Sequence, residues 1–421
     1  MANTFKFGNG NWAVKDGYAL AYNDENNNFK PLPFDFTRSS SATRVNKQGL
    51  IETVGKNKPR IDFTDNTSGH LLLEPSRTNL AQRSEEFDNS YWTKNNLTIT
   101  SNEIVSPDGS QAADKYTHSG SSVANYISGS AGSVTSGNQY TFSVFVKKGT
   151  SSFVQILFGS GAFGSLHQNF DIENGLIGGS SGDATAFIEE YPNGWYRVGI
   201  TDTCTTTQSS ATAIISLAQS NTASRLSSFT SSDDFYLWGA QVEVGSYATS
   251  YIPTEGSSVT RSNEYAIDSG NSDVFSNTEL SWFLDIEGFA EDGTTRYISI
   301  SDNGGSPYTN GYNVQYRSDG NLRIFRNGLD FADAILVVNI DQSVRQKIAI
   351  RYKQNDMKVY INGTAQSLNS SYVFQSMSSG IDSMRFTQQN STTSNAFDGK
   401  IYEMRVWNEA LTDTELQNLT S

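Results

Sequence analysis

Short alternating apolar runs, separated by glycine- and serine-rich turns and not by helical periods, are the feature that most limits what this chain can fold into. Tyr140-Thr-Phe-Ser-Val-Phe-Val146 puts its apolar residues on one face with period two, turns at Lys147-Lys148-Gly149-Thr150, and is followed by Phe153-Val-Gln-Ile-Leu-Phe158, which predicts a hairpin. Trp195–Ile200, Ala213–Leu217 and Phe235–Glu243 repeat the pattern. Aromatics reach 12% and charged residues only 18%, with 35 glycines, so strand formers and turn formers dominate and long helices lack their usual residues. Evenly spaced short strands of this kind predict an all-β fold of sandwich or jelly-roll type.

The 421 residues exceed one typical domain. Residues 1–80 carry scattered aromatics (Phe5, Phe7, Trp12, Tyr18, Tyr22, Phe29, Phe34, Phe36) around Pro31 and Pro33, and are expected to form an extended N-terminal arm with short strands that packs on a later domain or another subunit. Residues 81–256 form the first antiparallel β-sandwich, and a boundary is expected near 257–263. The second sandwich, 264–421, contains the runs Leu280–Phe289, Arg296–Ser301, Lys347–Tyr352, Lys358–Asn362 and Gly399–Trp407. A hairpin joins Tyr312–Arg317 to Leu322–Arg326 across Asp319-Gly320, a pair that accepts positive φ. One helix is predicted at the tail, where Thr412 and Glu415 have capping-box spacing and Leu416 and Leu419 share a face.

Charge excludes one class of partner. Thirty Lys+Arg face 44 Asp+Glu, giving a net charge of −14 with no basic run, which argues against nucleic acid. Cys204 is the lone cysteine, so no disulfide forms within the chain and no cysteine-rich metal site exists. The N-terminus lacks an apolar signal-peptide core and no stretch approaches the roughly 18 apolar residues of a membrane span, so synthesis in a host cytoplasm without membrane insertion is expected.

Two blocks carry resemblances. The first runs from Phe34-Asp-Phe-Thr-Arg-Ser-Ser-Ser-Ala-Thr-Arg-Val-Asn46 through Pro59-Arg60-Ile61-Asp62, Leu72-Leu-Glu-Pro-Ser-Arg-Thr-Asn-Leu80, Asn193-Gly-Trp-Tyr-Arg197 and Leu237-Trp-Gly-Ala-Gln-Val-Glu243 to Ser250-Tyr-Ile-Pro-Thr254. It resembles tailed-bacteriophage fibre, spike and other appendage proteins, whose central part is similar to a carbohydrate-binding-module jelly roll. The second block, Lys358-Val-Tyr-Ile-Asn-Gly363, Phe397-Asp-Gly-Lys-Ile-Tyr-Glu-Met-Arg-Val-Trp-Asn408 and Ala410-Leu-Thr-Asp-Thr-Glu-Leu416, resembles the laminin-G-like, concanavalin-A-like jelly roll. Fold alone does not settle function.

Candidate sites follow. Gly159-Ser-Gly161-Ala-Phe-Gly164 matches the dinucleotide fingerprint, but Ser165-Leu-His-Gln-Asn-Phe reads as a strand where a phosphate-holding helix would be needed. Asp285 and Glu287 share a strand face and are the one carboxylate pair suited to glycoside cleavage; the concanavalin-A-like hydrolase pattern Glu-x-Asp-x-x-Glu is broken at Phe283 and Gly288. His70, His118 and His167 are too scattered for a triad or a zinc site. Both resemblances imply a structural calcium, for which Asp302, Asn303 and Asp398 are the loop-placed donors. Trp195, Trp238, Trp282 and Trp407 read as core; the sugar-stacking candidates are Tyr308, Tyr312 and Tyr372, beside the hydrogen-bonding Asn303, Asn310 and Asn369.

The reading is a non-enzymatic virion-surface appendage of a tailed phage, whether head fibre, tail fibre or capsid decoration. Its arm would dock on other virion proteins, its sandwiches would bind host-surface glycans, and a trimer or dimer would bury the arm aromatics. Two alternatives stay open at this level: a polysaccharide depolymerase using Asp285 and Glu287, and a structural spacer with no ligand.

Overall fold

The computed structural model describes the chain apart from residues 1–2, 24–29, 121–122, 229, 290–292, 303–309, 329–330, 369–379 and 389–390. It is all-β: the described helices are the single turn Ser160–Phe163, a short 3₁₀ segment at Pro192–Gly194 and the tail helix Asp413–Thr420. The chain divides into two compact units, residues 1–41 with 54–75 and 262–421, and residues 42–53 with 76–261.

In the first unit a twelve-stranded sheet faces a five-stranded one. Its central strand Glu279–Gly288 pairs antiparallel with Gln346–Lys353 on one side and Gly399–Trp407 on the other. Leu280, Trp282, Leu284 and Ile286 turn inward to meet Ile298, Ile300, Tyr312, Val314, Leu322 and Ile324 of the opposite sheet, all of them 2% exposed or less. The hairpin across Gly320 forms as expected, Tyr316 opposite Leu322. Thr412 caps the tail helix in a full capping box with Glu415.

Residues 1–80 do not form a free arm. Phe5–Gly8 pairs with Gly399–Trp407 from Val406 to Glu403, while Leu71–Leu73 pairs with residues 399–401 of that same strand. Tyr18–Asn23 and Lys30–Thr37 then widen the sheet. Phe5, Phe7, Phe34 and Phe36 are 1% exposed or less and belong to the core that Trp282 anchors. The spacings Phe5-Lys-Phe7 and Phe34-Asp-Phe36 are period-two strand patterns, and they cover an edge that the strand Gly399–Trp407 would otherwise leave open. No second subunit is needed to bury those rings. Gly8 is forced by this pairing: its φ is 92°, and a Cβ there would come 2.4 Å from the Tyr402 carbonyl.

The second unit is a sandwich of two six-stranded sheets. The hairpin expected between Tyr140–Val146 and Phe153–Phe158 does not form. Gln139–Lys148 hydrogen-bonds to Trp195–Thr203 and Asp234–Val244, whereas Phe153–Phe158 lies in the other sheet between His167–Asp171 and Gln208–Leu217. The two runs meet face to face across the core, with the Phe142 and Phe158 rings 5.9 Å apart, because residues 147–150 cross between sheets. Gly159 and Gly161 stand beside the strand Gln208–Leu217; a Cβ on Gly159 would lie 2.3 Å from Thr212 Oγ1, so close approach explains the glycines without any nucleotide.

Four buried charges tie the first unit together. Arg38 Nη1 donates to Glu264 Oε1 at 2.6 Å, Arg60 Nε donates to the same oxygen at 2.9 Å, and Arg60 Nη2 donates to Glu74 Oε2 at 2.7 Å and to Glu264 Oε2. Arg38 also donates to the carbonyls of Ser40, Lys58, Val54 and Gly55. All four side chains are 2% exposed or less. Removing one partner of such a set strands a charge, so Glu264→Gln is expected to cost the first unit about 3–5 kcal/mol. Hydrogen exchange during denaturant titration, which resolves the two units, should show the second unit's protection unchanged.

Candidate functional site

Of the expected sugar platform, the described members Tyr312 and Asn310 are buried. Tyr312 is fully buried with its ring centroid 4.0 Å from that of Tyr352, and Asn310 is 3% exposed, so both serve the core of the first unit. Tyr312 alternates inward along Gly311–Tyr316, a face that the sugar-stacking assignment did not take into account. Tyr308, Tyr372, Asn303 and Asn369 lie outside the described residues. Of the calcium candidates, Asn303 shares that position, while Asp398 Oδ2 stands 3.7 Å from Arg296 Nε. Among the described residues no group of three or more His, Cys, Asp or Glu side chains could hold a metal.

Asp285 and Glu287 do share a face, the one turned away from the Trp282 core, and they enter an ionic lattice there. Arg345 binds Asp285 with both arms of its guanidinium, Nε to Oδ1 at 2.6 Å and Nη2 to Oδ2 at 2.7 Å, and lies 3.8 Å from the Tyr402 ring centroid. Glu287 receives Lys400 Nζ at 2.9 Å and the Tyr402 hydroxyl at 2.9 Å. Lys400 Nζ also reaches Asp65 Oδ2 at 2.8 Å, the Tyr402 hydroxyl shares its one proton between Glu287 and that oxygen, 2.9 Å away, and His70 Nδ1 is 3.3 Å from Asp65 Oδ1. Burial and the flanking carboxylates hold the Tyr402 hydroxyl far above its ordinary range. Burial raises the Asp65 carboxyl, but His70 and Lys400 outweigh it and hold it well below the usual carboxylate range. Each oxygen of the acid pair is thus occupied by a cation or a phenol, which leaves neither free to attack or to protonate a glycosidic oxygen.

Among the described residues, the second unit has openings. At the edge where Leu176–Ser181 passes to Thr185–Tyr191 there is a cleft of about 540 Å³, floored by Phe163 and Leu166 and walled by Gln139, Thr185, Asp202 and Thr203 among other polar side chains. An apolar floor with a few convergent polar groups is the usual make-up of a small-ligand site. Asp202 Oδ1 accepts the Thr203 N–H at 2.7 Å, whereas its Oδ2 is shut off from water with no hydrogen-bond partner. Burial, with a smaller contribution from Asp183, pushes the Asp202 carboxyl up. A buried acceptor without a donor is a costly feature.

Sequence reasoning missed Asp202, and the available signal was weak: one carboxylate amid the hydroxyl-rich Thr201-Asp202-Thr203-Cys204-Thr205-Thr206-Thr207. The strand period shows which side each residue takes but not that an edge opens there.

Residues 270–417 match the laminin-G-type model of the concanavalin A-like lectin/glucanases superfamily. That match contains the block whose Trp407-Asn408 strand end and tail helix gave the second resemblance. Among solved structures the chain is similar to the CBM40 of the Ruminococcus gnavus IT-sialidase, at 16% identity and a TM-score of 0.32, over 37% of this chain and 94% of that one. It is also similar to a heptameric SAP-like pentraxin from Limulus polyphemus, at 18% identity and a TM-score of 0.28 over 34% and 70% of the two chains. The receptor binding domain of botulinum neurotoxin D gives 14% identity and a TM-score of 0.28 over 37% and 41%. A comparison with curated proteins finds no match.

The raised Asp202 carboxyl fixes a pH dependence. The folded chain holds this proton more tightly than the unfolded chain, whose aspartates titrate near about 3.9. Its stability contribution is therefore present at low pH and is lost as pH rises through the folded value. Asp202→Asn should leave the melting temperature at pH 7 unchanged or higher, and should flatten its fall between acid and neutral pH in thermal denaturation.

Proposed function

We propose that the chain is a non-enzymatic glycan-binding adhesion protein carried on a tailed-phage virion. The cleft that Asp202 lines carries the reading: its floor of Phe163 and Leu166 suits the apolar face of a sugar ring, and its polar walls suit the hydroxyls around that ring. The lectin-type match over 270–417 and the appendage-like motifs between 34 and 254 point the same way. A depolymerase is disfavoured by the cation and phenol that occupy Asp285 and Glu287. Binding at one cleft would be weak, and display of many copies on a particle would convert it to avidity. The first unit's N-terminal strands are built into its sheet, so docking on other virion proteins would use surfaces other than the buried faces of Phe5, Phe7, Phe34 and Phe36.

A glycan array with the full chain tests this. At least one glycan should bind, and Asp202→Asn should weaken it roughly tenfold or more, the worth of a hydrogen bond to a charged group, without lowering the melting temperature. No binder at high protein density, or new reducing ends released from host polysaccharide, would defeat the reading. Antibody labelling of particles in electron micrographs should place the chain on the virion surface.

A further inference from the structure

A second opening crosses the outer face of the other sheet in the same unit. It has a volume of about 430 Å³ and lies over the paired strands Tyr126–Val134 and Gln208–Leu217, its lining including Tyr126, Ser128, Gln208, Ser210, Thr212 and Arg225. The inward residues of these strands, Ile127, Ala211, Ala213 and Ile215, fill the core, so the alternate positions Ser128, Ser210 and Thr212 are presented outward as a row of hydroxyls. Tyr126, half-buried, stands at one end.

Arg225 closes this groove from the loop that follows Gln208–Leu217. Several other arginines of this protein meet carboxylates: Arg38 and Arg60 meet Glu264, and Arg351 meets Asp356 and Asp413. Arg225 differs. Among the described residues it has neither an ion pair nor a hydrogen bond, and its Nε is shut off from water. It is the one charged side chain between Asp202 and Asp233. Burial lowers the guanidinium's proton affinity with no acid to offset it, and Arg225 in turn helps to hold down the neighbouring His167. A partly desolvated cation without a counter-ion among the described residues, in a chain of net charge −14, suits an anion.

The backbone beside it is strained. Leu226 has φ 47°; the other non-glycine residues with positive φ are asparagines and one aspartate, among those described. Its N–H donates to Gln155 Oε1 at 2.8 Å, and Asn169 Nδ2 holds the loop by donating to the Ala223 carbonyl at 2.7 Å. Strain held by such supports points to a position the fold keeps for use.

We propose that this groove binds an acidic saccharide, its carboxylate on the Arg225 guanidinium, its ring against Tyr126 and its hydroxyls on Ser128, Ser210 and Thr212. The inference deepens the glycan-binding reading and rests on it, but concerns a site separate from the Asp202 cleft. Titration calorimetry of the full chain with tetragalacturonate, with the same tetrasaccharide reduced at its carboxyls, and with acetate tests it. The acidic sugar should bind, the reduced one at least about tenfold more weakly, and acetate alone weakly or not at all. Arg225→Gln should abolish the preference and Arg225→Lys should restore part of it, both with an unchanged melting temperature, since the side chain has no partner to lose. Equal affinity for the acidic and reduced sugars, or full binding by Arg225→Gln, would overturn the assignment. If neutral glycans still bind in a manner sensitive to Asp202→Asn, the adhesion reading stands although this site fails; if no saccharide binds, both fall.

Discussion

Two guanidiniums and two carboxylates, all excluded from water, hold the first unit's separate segments to one another. Arg38, Arg60, Glu74 and Glu264 come from segments that each lie within a few residues of a point where the chain passes between units, at 41/42, 53/54, 75/76 and 261/262. Desolvating four charges offsets most of their mutual attraction, so the quartet adds little over an apolar core of the same shape. What it does impose is a single arrangement. Any fold that fails to bring all four segments together leaves a charge in the interior, and this is how a chain that leaves the unit and re-enters it can still assemble one sheet.

That continuity governs where chemistry is available. Because Phe5–Gly8 and His70–Leu73 complete the edge of the strand Gly399–Trp407, Asp65 and His70 are delivered beside Lys400, Tyr402 and Glu287. The carboxylates on that face become structural by acquiring cations. In the second unit the balance is reversed: Asp202 keeps an acceptor without a donor and Arg225 a donor without an acceptor. Unfilled valences of opposite sign, in two separate openings of one sandwich, are the features that suit ligands.

Much of the fold was legible. The period-two runs, the Asp319-Gly320 turn and the Thr412/Glu415 capping box each act over a few residues, and each appears where expected. Arg38, Arg60 and Glu74 lay inside the motifs that drew the resemblance to phage appendages, although nothing in their spacing revealed an ion quartet closed by Glu264. The first hairpin was misread because neighbours in sequence were assumed to be partners in the ladder, whereas Tyr140–Val146 and Phe153–Phe158 face each other across a core. The N-terminal segment packs on a later part of the chain, one of the two outcomes expected of it, and Phe5–Gly8 pairs with a strand some four hundred residues later. Tyr312 stands in a strand, as expected, but on its inward face, which the sugar-stacking assignment did not take into account.

By itself, the sequence determined that this protein is built of strands, where most of them turn, which residues share a face, and that a tail helix is capped. Only the tertiary structure decided which strands lie side by side, which aromatics are buried, that Asp285 and Glu287 are consumed by Arg345, Lys400 and Tyr402, and that Arg225, without a partner among the described residues, stands beside a row of hydroxyls. The reason is physical. Side-chain alternation is a local property of the backbone, while ladder hydrogen bonds use groups that every residue except proline carries alike, so pairing is selected by the packing of whole faces and by the need to leave no charge stranded.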